Sequence, residues 1–452
     1  MLRIDAIDTI ELGNRSYIAH DGRDAIVVDP QRDIDRVLAR LDELGVQVRL
    51  VCETHIHNDY LTGGLALSKE VGAPYVVSAT DSVPYNRLAV RDGDDLEVGG
   101  MSVQVLATPG HTPGHIALLI GADGSAPALF TGGSMLYGAV GRTDLIDPAR
   151  TVELAEAQYR SVHRLADRLP VETAVFPTHG FGSFCAARTL ASNLSSGTLA
   201  DERKRNPALT APDGATFVDQ LVRGFTPYPA YYAHMSALNV AGVDAPDLSP
   251  APRIDATELT RRIEAGDWVI DLRPRGTYAA SHISGTVSFE VAPPFGTYLG
   301  WVVPFGAPLT LLASDTAQVA QAQRQLVRIG WDRPDAVAVG PIESLAPALP
   351  RRTYPSVSFS DLPADLSSQA GTVIDVRRED ERAGGYLPDA VHIPLHALLD
   401  PATPLPEGTL WVHCASGFRA SIAASLLDRL GRQVVLIDDT MDHAAELELL
   451  AS

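Results

Sequence analysis

The chain has 452 residues, of which 45% are hydrophobic and 20% charged, and its formal net charge is −20. This length is typical of about three globular domains. The negative balance argues against a nucleic-acid or anionic-membrane partner, because both are bound through basic surfaces. No apolar run approaches the ~20 residues of a membrane-spanning helix, and the first residues lack the apolar segment of a signal peptide, so we expect a cytoplasmic protein. Three cysteines, Cys52, Cys185 and Cys414, are too few for a disulfide framework.

Alternating strand and helix patterns fill roughly the first 240 residues, as in an α/β fold. Short apolar runs bounded by turn residues predict strands, and apolar residues spaced three or four apart predict helices. In chain order, the predicted elements are strand 25–28, helix 37–44, strand 48–51, strand 75–77, a hairpin over 96–106, strand 128–130, helix 152–169 and strand 174–176.

Four of these predicted strands end in segments rich in histidine, glycine and proline. The segments present His55 with His57, then His111, Gly133 and His179. Two histidines at positions i and i+2 of an extended chain point the same way, so one cation can take a nitrogen from each. The competing interpretation of His55 and His57, two surface histidines, is weakened by the other histidines at strand ends.

Beyond a linker at 244–252, rich in proline and aspartate, the chain contains an internal repeat. Residues 268–273 match residues 372–377 at an offset of 104 residues, and the proline-rich segment 347–363 separates the two copies. We therefore predict three domains, at 1–243, 253–350 and 356–452.

The second copy carries a cysteine at a position suited to chemistry. Cys414 follows an apolar strand at 410–413 and precedes a tight loop and the predicted helix 420–430. Backbone N–H groups and the positive end of a helix stabilise a thiolate. The first copy contains no cysteine and its strand 309–312 ends without a comparable loop, so it has no thiol for such chemistry. Its expected role is to pack and orient its neighbours.

The order of these segments resembles the metallo-β-lactamase fold superfamily. The motifs are His-x-His-x-Asp at 55–59, Pro-Gly-His-Thr at 109–112, Thr-Gly-x at 131–133 and Pro-Thr-His-Gly at 177–180. Gly-Arg-Thr-Asp at 141–144 is similar to a segment of the persulfide dioxygenases, and Cys-x-x-Gly-x-Arg at 414–419 is similar to the rhodanese active-site loop. The resemblance implies an α/β protein, with an αββα metallo-β-lactamase sandwich followed by two α/β rhodanese domains, the first inactive.

The sequence departs from the family at two metal-binding positions. Tyr60 stands where the superfamily has the last histidine of its first motif, and Gly133 stands where it has an aspartate ligand. In persulfide dioxygenases the mononuclear iron is held by two histidines and that aspartate, which gives His55, His111 and no third ligand here. We predict that His57 completes a three-histidine site for Fe(II), with zinc as an alternative. A site too poor in ligands to hold metal is the competing interpretation.

Six further residues are candidates for roles beside the metal or toward the substrate: Asp59, Tyr60, His115, Arg142, His179 and Cys185. Arg142 is either an anion clamp or a structural partner of Asp144 or Asp147. Cys185 is either a persulfide carrier near the metal or a buried apolar residue.

The resemblance implies a persulfide dioxygenase that oxidises the sulfane sulfur of a small thiol persulfide with O₂ to sulfite. The rhodanese domain would move sulfur between thiosulfate and thiols through Cys414, with Arg419 stabilising the thiolate. Two alternatives stay open: a metal-dependent thioesterase of the glyoxalase II kind, or a persulfide-binding scaffold in which only the C-terminal domain is active. Fusions of this kind commonly self-associate, so we expect a homo-oligomer.

Overall fold

The computed structural model describes residues 1–187, 195–362 and 371–451. The chain forms two compact units, Met1–Asp247 with Val327–Gly330, and Leu248–Leu326 with Trp331–Ser452. The junction between them falls inside the predicted linker 244–252. Residues 363–370 and 452, which belong to the third predicted domain, lie outside the described residues. The domain boundaries themselves stay predictions.

Two β-sheets and the helices that cover them form the first unit. The six-stranded sheet has the order β1-β2-β3-β4-β5-β6, and the five-stranded sheet has the order β13-β10-β9-β8-β7. The strands are β1 (Arg3–Thr9), β2 (Asn14–His20), β3 (Asp24–Val28), β4 (Gln47–Cys52), β5 (Tyr75–Ser78), β6 (Leu88–Val90), β7 (Asp95–Val98), β8 (Met101–Ala107), β9 (Ile116–Ala122), β10 (Ala128–Gly132), the short hairpin β11 (Met135–Leu136) and β12 (Ala139–Val140), and β13 (Ala174–Pro177). The helices are α1 (Asp35–Leu44), α2 (Gly64–Val71), α3 (Thr151–Arg168), which follows a 3₁₀ turn at Pro148–Arg150, α4 (Leu199–Arg205), α5 (Pro207–Thr210), α6 (Gly214–Arg223) and α7 (Tyr232–Ala241).

The side chains between the two sheets form the central core. On β8, Met101, Val103 and Val105 are fully buried, and they share one apolar cluster with Phe130 of the same sheet and Tyr17 of the other sheet. The two aromatic rings meet edge to face with centroids 5.4 Å apart. Separate apolar clusters lie between each sheet and its helices, so the unit has the αββα layering that the sequence predicted.

The topology brings the predicted site segments together. Strands β3 to β6 run parallel to one another, and β10 runs parallel to β13. The carboxyl ends of parallel strands share one edge of a sheet. The loops after β4, β10 and β13, which carry His55, Gly133 and His179, therefore lie at neighbouring strand ends.

The second unit contains two parallel sheets of related topology. Their orders are β16-β14-β17-β18 and β20-β24-β23-β21-β22. The strands are β14 (Trp268–Asp271), β15 (His282–Ile283), β16 (Val287–Ser288), β17 (Leu309–Ala313), β18 (Ala336–Val339), β19 (Arg351–Arg352), β20 (Ser356–Val357), β21 (Gly371–Asp375), β22 (Val391–His392), β23 (Thr409–His413) and β24 (Val434–Ile437). The helices are α8 (Ala256–Glu264), α9 (Arg275–Ala280), α10 (Phe295–Val302), α11 (Thr316–Arg328), α12 (Ile342–Leu345), α13 (Glu379–Arg382), α14 (Phe418–Arg429) and α15 (Met441–Glu446), with 3₁₀ turns at Phe359–Asp361 and Leu395–Ala397.

The internal repeat is visible in this topology. The order β16-β14-β17-β18 corresponds strand for strand to β22-β21-β23-β24. In the first copy Arg273 donates from Nε and Nη2 to the two oxygens of Asp271 at 2.9 and 2.7 Å, and in the second Arg377 makes the same pair of bonds to Asp375 at 3.0 and 2.8 Å. Both copies therefore use one buried ion pair to close the turn after the central strand.

Among the described residues, no helix is both long and apolar enough to cross a lipid bilayer.

Candidate metal centre and sulfur-transfer loop

A buried carboxylate fixes the loops that carry the histidines. Asp29 follows β3 with a left-handed backbone, φ 50°, and its side chain is fully buried. One oxygen accepts the N–H of Thr54 at 2.7 Å, and the other accepts the hydroxyl of Thr54 at 2.7 Å and that of Thr178. Burial alone would raise the pKa of Asp29, but neighbouring His57 and these hydrogen bonds outweigh it and lower that pKa. A single ionised group thus ties the loop after β4 to the loop after β13.

Four histidines, His55, His57, His111 and His179, converge beside this carboxylate, and we call them the histidine cluster. Each is at most 1% exposed. The ring centroid of His55 lies 4.1 Å from that of His57, 4.8 Å from that of His111 and 5.2 Å from that of His179. The structure therefore brings together all the histidines that the strand ends presented in the sequence.

Hydrogen bonds fix the protonation of two of these rings. Nδ1 of His111 lies 2.7 Å from the carbonyl oxygen of Arg142, and Nδ1 of His179 lies 2.8 Å from Oδ1 of Asn14. The orientation of the Asn14 amide is set by its NH₂ group, which donates to Asp59 at 2.8 Å. Because a carbonyl oxygen only accepts, Nδ1 carries a proton in both rings, and in the neutral form of each ring Nε2 keeps its lone pair.

His55 is held in the same form. Its Nδ1 lies 2.9 Å from the hydroxyl oxygen of Thr54, whose own proton is donated to Asp29. The hydroxyl must therefore accept from Nδ1, which leaves the lone pair on Nε2. That Nε2 lies 3.2 Å from Nε2 of His179. Burial, followed by the neighbouring histidines, lowers the pKa of His55 well below its usual value, so the ring is neutral.

His57 is oriented through Nε2, whereas the other three rings are oriented through Nδ1. Its Nε2 lies 3.0 Å from Oε2 of Glu53, 3.0 Å from the hydroxyl of Tyr60 and 3.4 Å from Oδ1 of Asp29. Burial lowers the pKa of His57, but the carboxylates of Asp29 and Glu53 outweigh it and raise that pKa to about 10. Its Nδ1 has no hydrogen-bond partner among the described residues.

These contacts fit a metal ion. Metal-binding histidines donate the N–H of one nitrogen to a carboxylate, carbonyl or hydroxyl and bind the ion through the other, and every member of the histidine cluster has such a partner. Nε2 of His111 is buried without a partner, and burial lowers the pKa of this ring to about 3, which keeps it neutral as a ligand must be. Among the described residues, the sets of three whose ligand atoms all lie within 4.8 Å of one another are His55, His111 and His179; Asp29, His55 and His57; and His57, Asp59 and His179.

The predicted ligands His55, His57 and His111 are spread over these sets, with His179 beside His55 and His111 in place of His57. The assignment of His57 as a metal ligand stays a prediction.

Gly133, where the family has its aspartate, lies against the ring of His111. A Cβ added at Gly133 would lie 2.8 Å from Nε2 of His111 and closer still to its Cδ2, so a side chain there and the present ring exclude each other. The backbone N–H of Gly133 donates to Nε2 of His115 at 2.9 Å, and Nδ1 of His115 lies 2.8 Å from the hydroxyl of Thr108. Both nitrogens of His115 are thus engaged, which favours the supporting role that the sequence predicted for it.

Arg142 and Cys185 adopt the structural alternatives that the sequence left open. The guanidinium of Arg142 donates to both oxygens of Asp144 at 2.7 Å and lies 4.6 Å from the ring centroid of Tyr228. Cys185 is fully buried, and burial followed by the charge of Asp59 raises the pKa of its thiol well above the usual value. An anion-binding Arg142 and a persulfide-carrying Cys185 stay predictions.

The sequence pattern did not single out the residues that orient the cluster. Asp29 and Glu53 have a local signal, since each is an acidic residue directly after an apolar strand. Asn14 has none, because its partners lie 45 and 165 residues away.

Asn239 on α7 holds the metal loop from 182 residues away. Its buried amide donates to the carbonyl oxygens of His57 at 2.9 Å and Tyr60 at 2.8 Å, and accepts the N–H of Thr62 at 3.0 Å. One side chain therefore satisfies three backbone groups of a buried loop, which could not otherwise be desolvated without cost.

In the second unit, Cys414 lies between β23 and α14 and is 1% exposed. Gly417 takes a left-handed backbone, φ 85°, and a Cβ there would collide with Asp438. The guanidinium of Arg419 donates to the two oxygens of Glu381 at 2.5 and 2.6 Å. Glu381 is a partner that the sequence did not reveal. The predicted role of Arg419, stabilising the thiolate, stays a prediction.

The copy without a cysteine contacts this loop. Arg275 donates to Asp438 at 2.7 Å and to the carbonyl oxygen of Ser416 at 3.4 Å. The ring centroid of Tyr298 on α10 lies 5.8 Å from that of Phe418, at the start of α14. These contacts are those expected of a copy that packs against and orients its neighbour.

Comparison with known proteins identifies one domain in the N-terminal part of the chain and one in the C-terminal part. Residues 10–179 match the family model of the metallo-beta-lactamase superfamily, and residues 358–443, the copy with Cys414, match that of the rhodanese-like domain. The mitochondrial persulfide dioxygenase ETHE1 of Homo sapiens is 30% identical over 204 residues, which are 45% of this chain and 71% of that protein. A hydroxyacylglutathione hydrolase of Methylococcus capsulatus is 32% identical over 219 residues, 48% of this chain and 81% of that protein. The crystal structure of a metallo-beta-lactamase from Staphylococcus aureus subsp. aureus COL has a TM-score of 0.66 at 26% identity and covers 75% of this chain and 99% of its own.

Replacing Asn239 by alanine tests its hold on the metal loop. The substitution leaves the N–H of Thr62 and two buried carbonyls without their partner, so we expect unfolding of the first unit to become easier by about 1–3 kcal/mol. Thermal unfolding followed by circular dichroism would show this as a lowered Tm. Asn86→Ala is the matched control, because that residue is exposed; equal melting of both variants would show that Asn239 does not support the loop.

Proposed function

Since the chain belongs to the metallo-beta-lactamase superfamily and carries a rhodanese-like domain, we propose that it is a persulfide dioxygenase coupled to a sulfurtransferase. The observation that carries this proposal is the histidine cluster, in which His55, His111 and His179 each have Nδ1 held by a hydrogen-bond partner, so that Nε2 of each neutral ring is a possible metal ligand. In the proposed reaction one thiol persulfide, one O₂ and one water give one thiol and one sulfurous acid. The outer sulfur is oxidised, O₂ is reduced, and the sulfur–sulfur bond breaks.

A mononuclear Fe(II) is the cofactor we propose for the cluster, with zinc as the alternative. Imidazole nitrogens suit both ions, and when bound such an ion supplies a Lewis acid with open positions for small ligands. The protein supplies the fixed geometry. Thr54, Asn14 and the carbonyl of Arg142 hold three rings in the tautomer that leaves Nε2 available, and complete burial keeps bulk water away from the reacting sulfur.

The C-terminal domain would supply sulfur through Cys414. The thiolate attacks the outer sulfur of thiosulfate, a new sulfur–sulfur bond forms, and sulfite leaves with the electrons of the broken bond. A small thiol then attacks the outer sulfur of the Cys414 persulfide, and the thiolate of Cys414 is regenerated. The product, a thiol persulfide, is the proposed substrate of the histidine cluster.

Two alternatives each have support. A thioesterase is favoured by the similarity to a hydroxyacylglutathione hydrolase, 81% of whose length is matched by this chain. A scaffold without metal chemistry is favoured by Gly133, which supplies no ligand. Against the thioesterase stands Tyr60, because hydrolases of this fold use a second metal that the lost histidine would bind.

Metal analysis with an oxygen assay separates these functions. We expect the full chain, purified without air, to contain about one iron per chain by mass spectrometry, and to consume O₂ and form sulfite when given glutathione persulfide. An enzyme with zinc that cleaves a glutathione thioester would instead be the hydrolase. Absence of metal together with no O₂ uptake would leave only the scaffold and would overturn the proposal.

Cys414→Ser tests the sulfur-transfer step. Serine lacks the nucleophilic sulfur, so we expect transfer from thiosulfate to a thiol to fall to background while O₂ uptake on added glutathione persulfide stays within about twofold of wild type. Ser416→Ala in the same loop is the control, because that side chain is exposed. Survival of transfer in the Cys414→Ser variant would show that another group carries the sulfur.

A further inference from the structure

We propose that His179 takes the place of the aspartate that Gly133 lacks, so that a single metal ion is bound by Nε2 of His55, His111 and His179. This ligand set differs from the one predicted from sequence, in which His57 was the third ligand. The inference rests on the proposed metal centre, and it explains how the centre persists without its carboxylate.

The first support is the approach of two unprotonated nitrogens. Nε2 of His55 and Nε2 of His179 lie 3.2 Å apart, and Nδ1 of each ring donates to its own partner. Two neutral rings in this arrangement bring two lone pairs together, which repel each other unless a metal ion or a shared proton lies between them. Two imidazole nitrogens that each lie about 2.0–2.1 Å from one metal ion are about 3 Å apart, so the spacing is that of two ligands on one ion.

The second support is the position of His111. Its ligand nitrogen lies within 4.8 Å of those of both His55 and His179, and its Nε2 is buried without a partner. The three nitrogens therefore form one compact set. Among the described residues, no set within this distance contains both His57 and His111.

The third support is that Nε2 of His57 is engaged by other residues. Its Nε2 is held by Glu53, and Glu53 is in turn bound by the hydroxyls of Thr62 and Tyr75, the latter at 3.2 Å. Tyr60, the residue that replaces the family's histidine, stacks on the ring of His57 with centroids 4.3 Å apart and lies within hydrogen-bond distance of the same Nε2. These contacts hold His57 by its Nε2 on the carboxylates of Glu53 and Asp29.

The fourth support is the space around His111. A Cβ at Gly133 would lie 2.8 Å from Nε2 of His111, and a Cβ at Gly141 would lie 2.7 Å from its Nδ1. Glycine at both positions lets the ring lie where it meets His55 and His179. A side chain at 133 and the present position of the ring exclude each other, so a carboxylate restored at 133 would displace His111.

The surroundings of His179 match the role of a ligand. Its Nδ1 donates to Asn14 and lies 3.3 Å from Oδ2 of Asp59. A carboxylate beside the outer nitrogen of a histidine raises the basicity of the nitrogen that binds metal. An aspartate at 133 would have neutralised part of the metal ion's charge directly. Asp59 does part of this indirectly, through its contact with Nδ1 of His179.

The test measures metal content in the full chain loaded with Fe(II) without air, and separately with Co(II), whose absorption spectrum reports its ligands. We expect His179→Ala to lose at least tenfold in bound metal, and His57→Ala to keep more than half. Gly133→Asp restores the carboxylate that the family uses as a ligand. We nevertheless expect it to lower the metal content, because the new side chain displaces His111. His163→Ala is the matched control, a partly buried histidine outside the histidine cluster whose Nε2 lies 2.9 Å from the carbonyl oxygen of Ala208.

Circular dichroism establishes that each variant is folded. A second measurement needs no substitution: proton NMR of the Co(II)-loaded wild type counts the exchangeable imidazole N–H signals that the metal shifts. Three such signals support a set of three histidine ligands, fewer than three would overturn it, and the variants decide between His57 and His179. Loss of metal in His57→Ala with retention in His179→Ala would overturn it, and so would a fully loaded Gly133→Asp variant. Metal that depends on His179 in a protein that takes up no O₂ with glutathione persulfide would overturn the proposed function and leave the ligand assignment intact.

Discussion

The buried carboxylate of Asp29 is the interaction on which the geometry of the first unit depends. An ionised group inside a protein costs several kcal/mol unless donors surround it, and Asp29 meets this requirement by accepting from Thr54 after β4 and Thr178 after β13. These two strands belong to different sheets. The need to satisfy one charge therefore fixes the distance between the two sheet edges, and with it the distance between His55 and His179.

The same carboxylate sets the chemistry of the neighbouring rings. By taking the hydroxyl proton of Thr54, Asp29 turns that hydroxyl into an acceptor for His55. Its charge, with that of Glu53, also keeps a proton on Nε2 of His57, which therefore donates. A change at Asp29 would thus alter which nitrogen of each ring is available, although Asp29 itself need not touch the bound ion.

The sequence predicted the elements of the first unit well because their signals are local. The hairpin expected over 96–106 is found as β7 and β8, and the helix expected at 152–169 is α3, Thr151–Arg168. That His55, His111 and His179 lie in loops at strand ends was predictable, although β4 belongs to one sheet and β8 and β13 to the other, so that their meeting also depends on how the sheets pack. Which nitrogen each ring presents was not predictable, because that depends on partners such as Asn14, 165 residues from His179 in the chain. Cys185 illustrates the same limit, since its spacing from His179 allowed either a buried or a reactive thiol.

In the second unit, the two copies share an ion pair that supports the fold but differ in the loop that carries the cysteine. Both copies keep the Asp-x-Arg ion pair, whose loss would leave a charge buried and unpaired at a cost of several kcal/mol. The first copy has neither the cysteine nor the glycine-arginine loop, yet it forms a sheet of the same strand order. Its Arg275 holds Asp438. Since the side chain of Asp438 fills the space above Gly417, the copy that cannot carry sulfur still helps to fix the backbone of the loop that does.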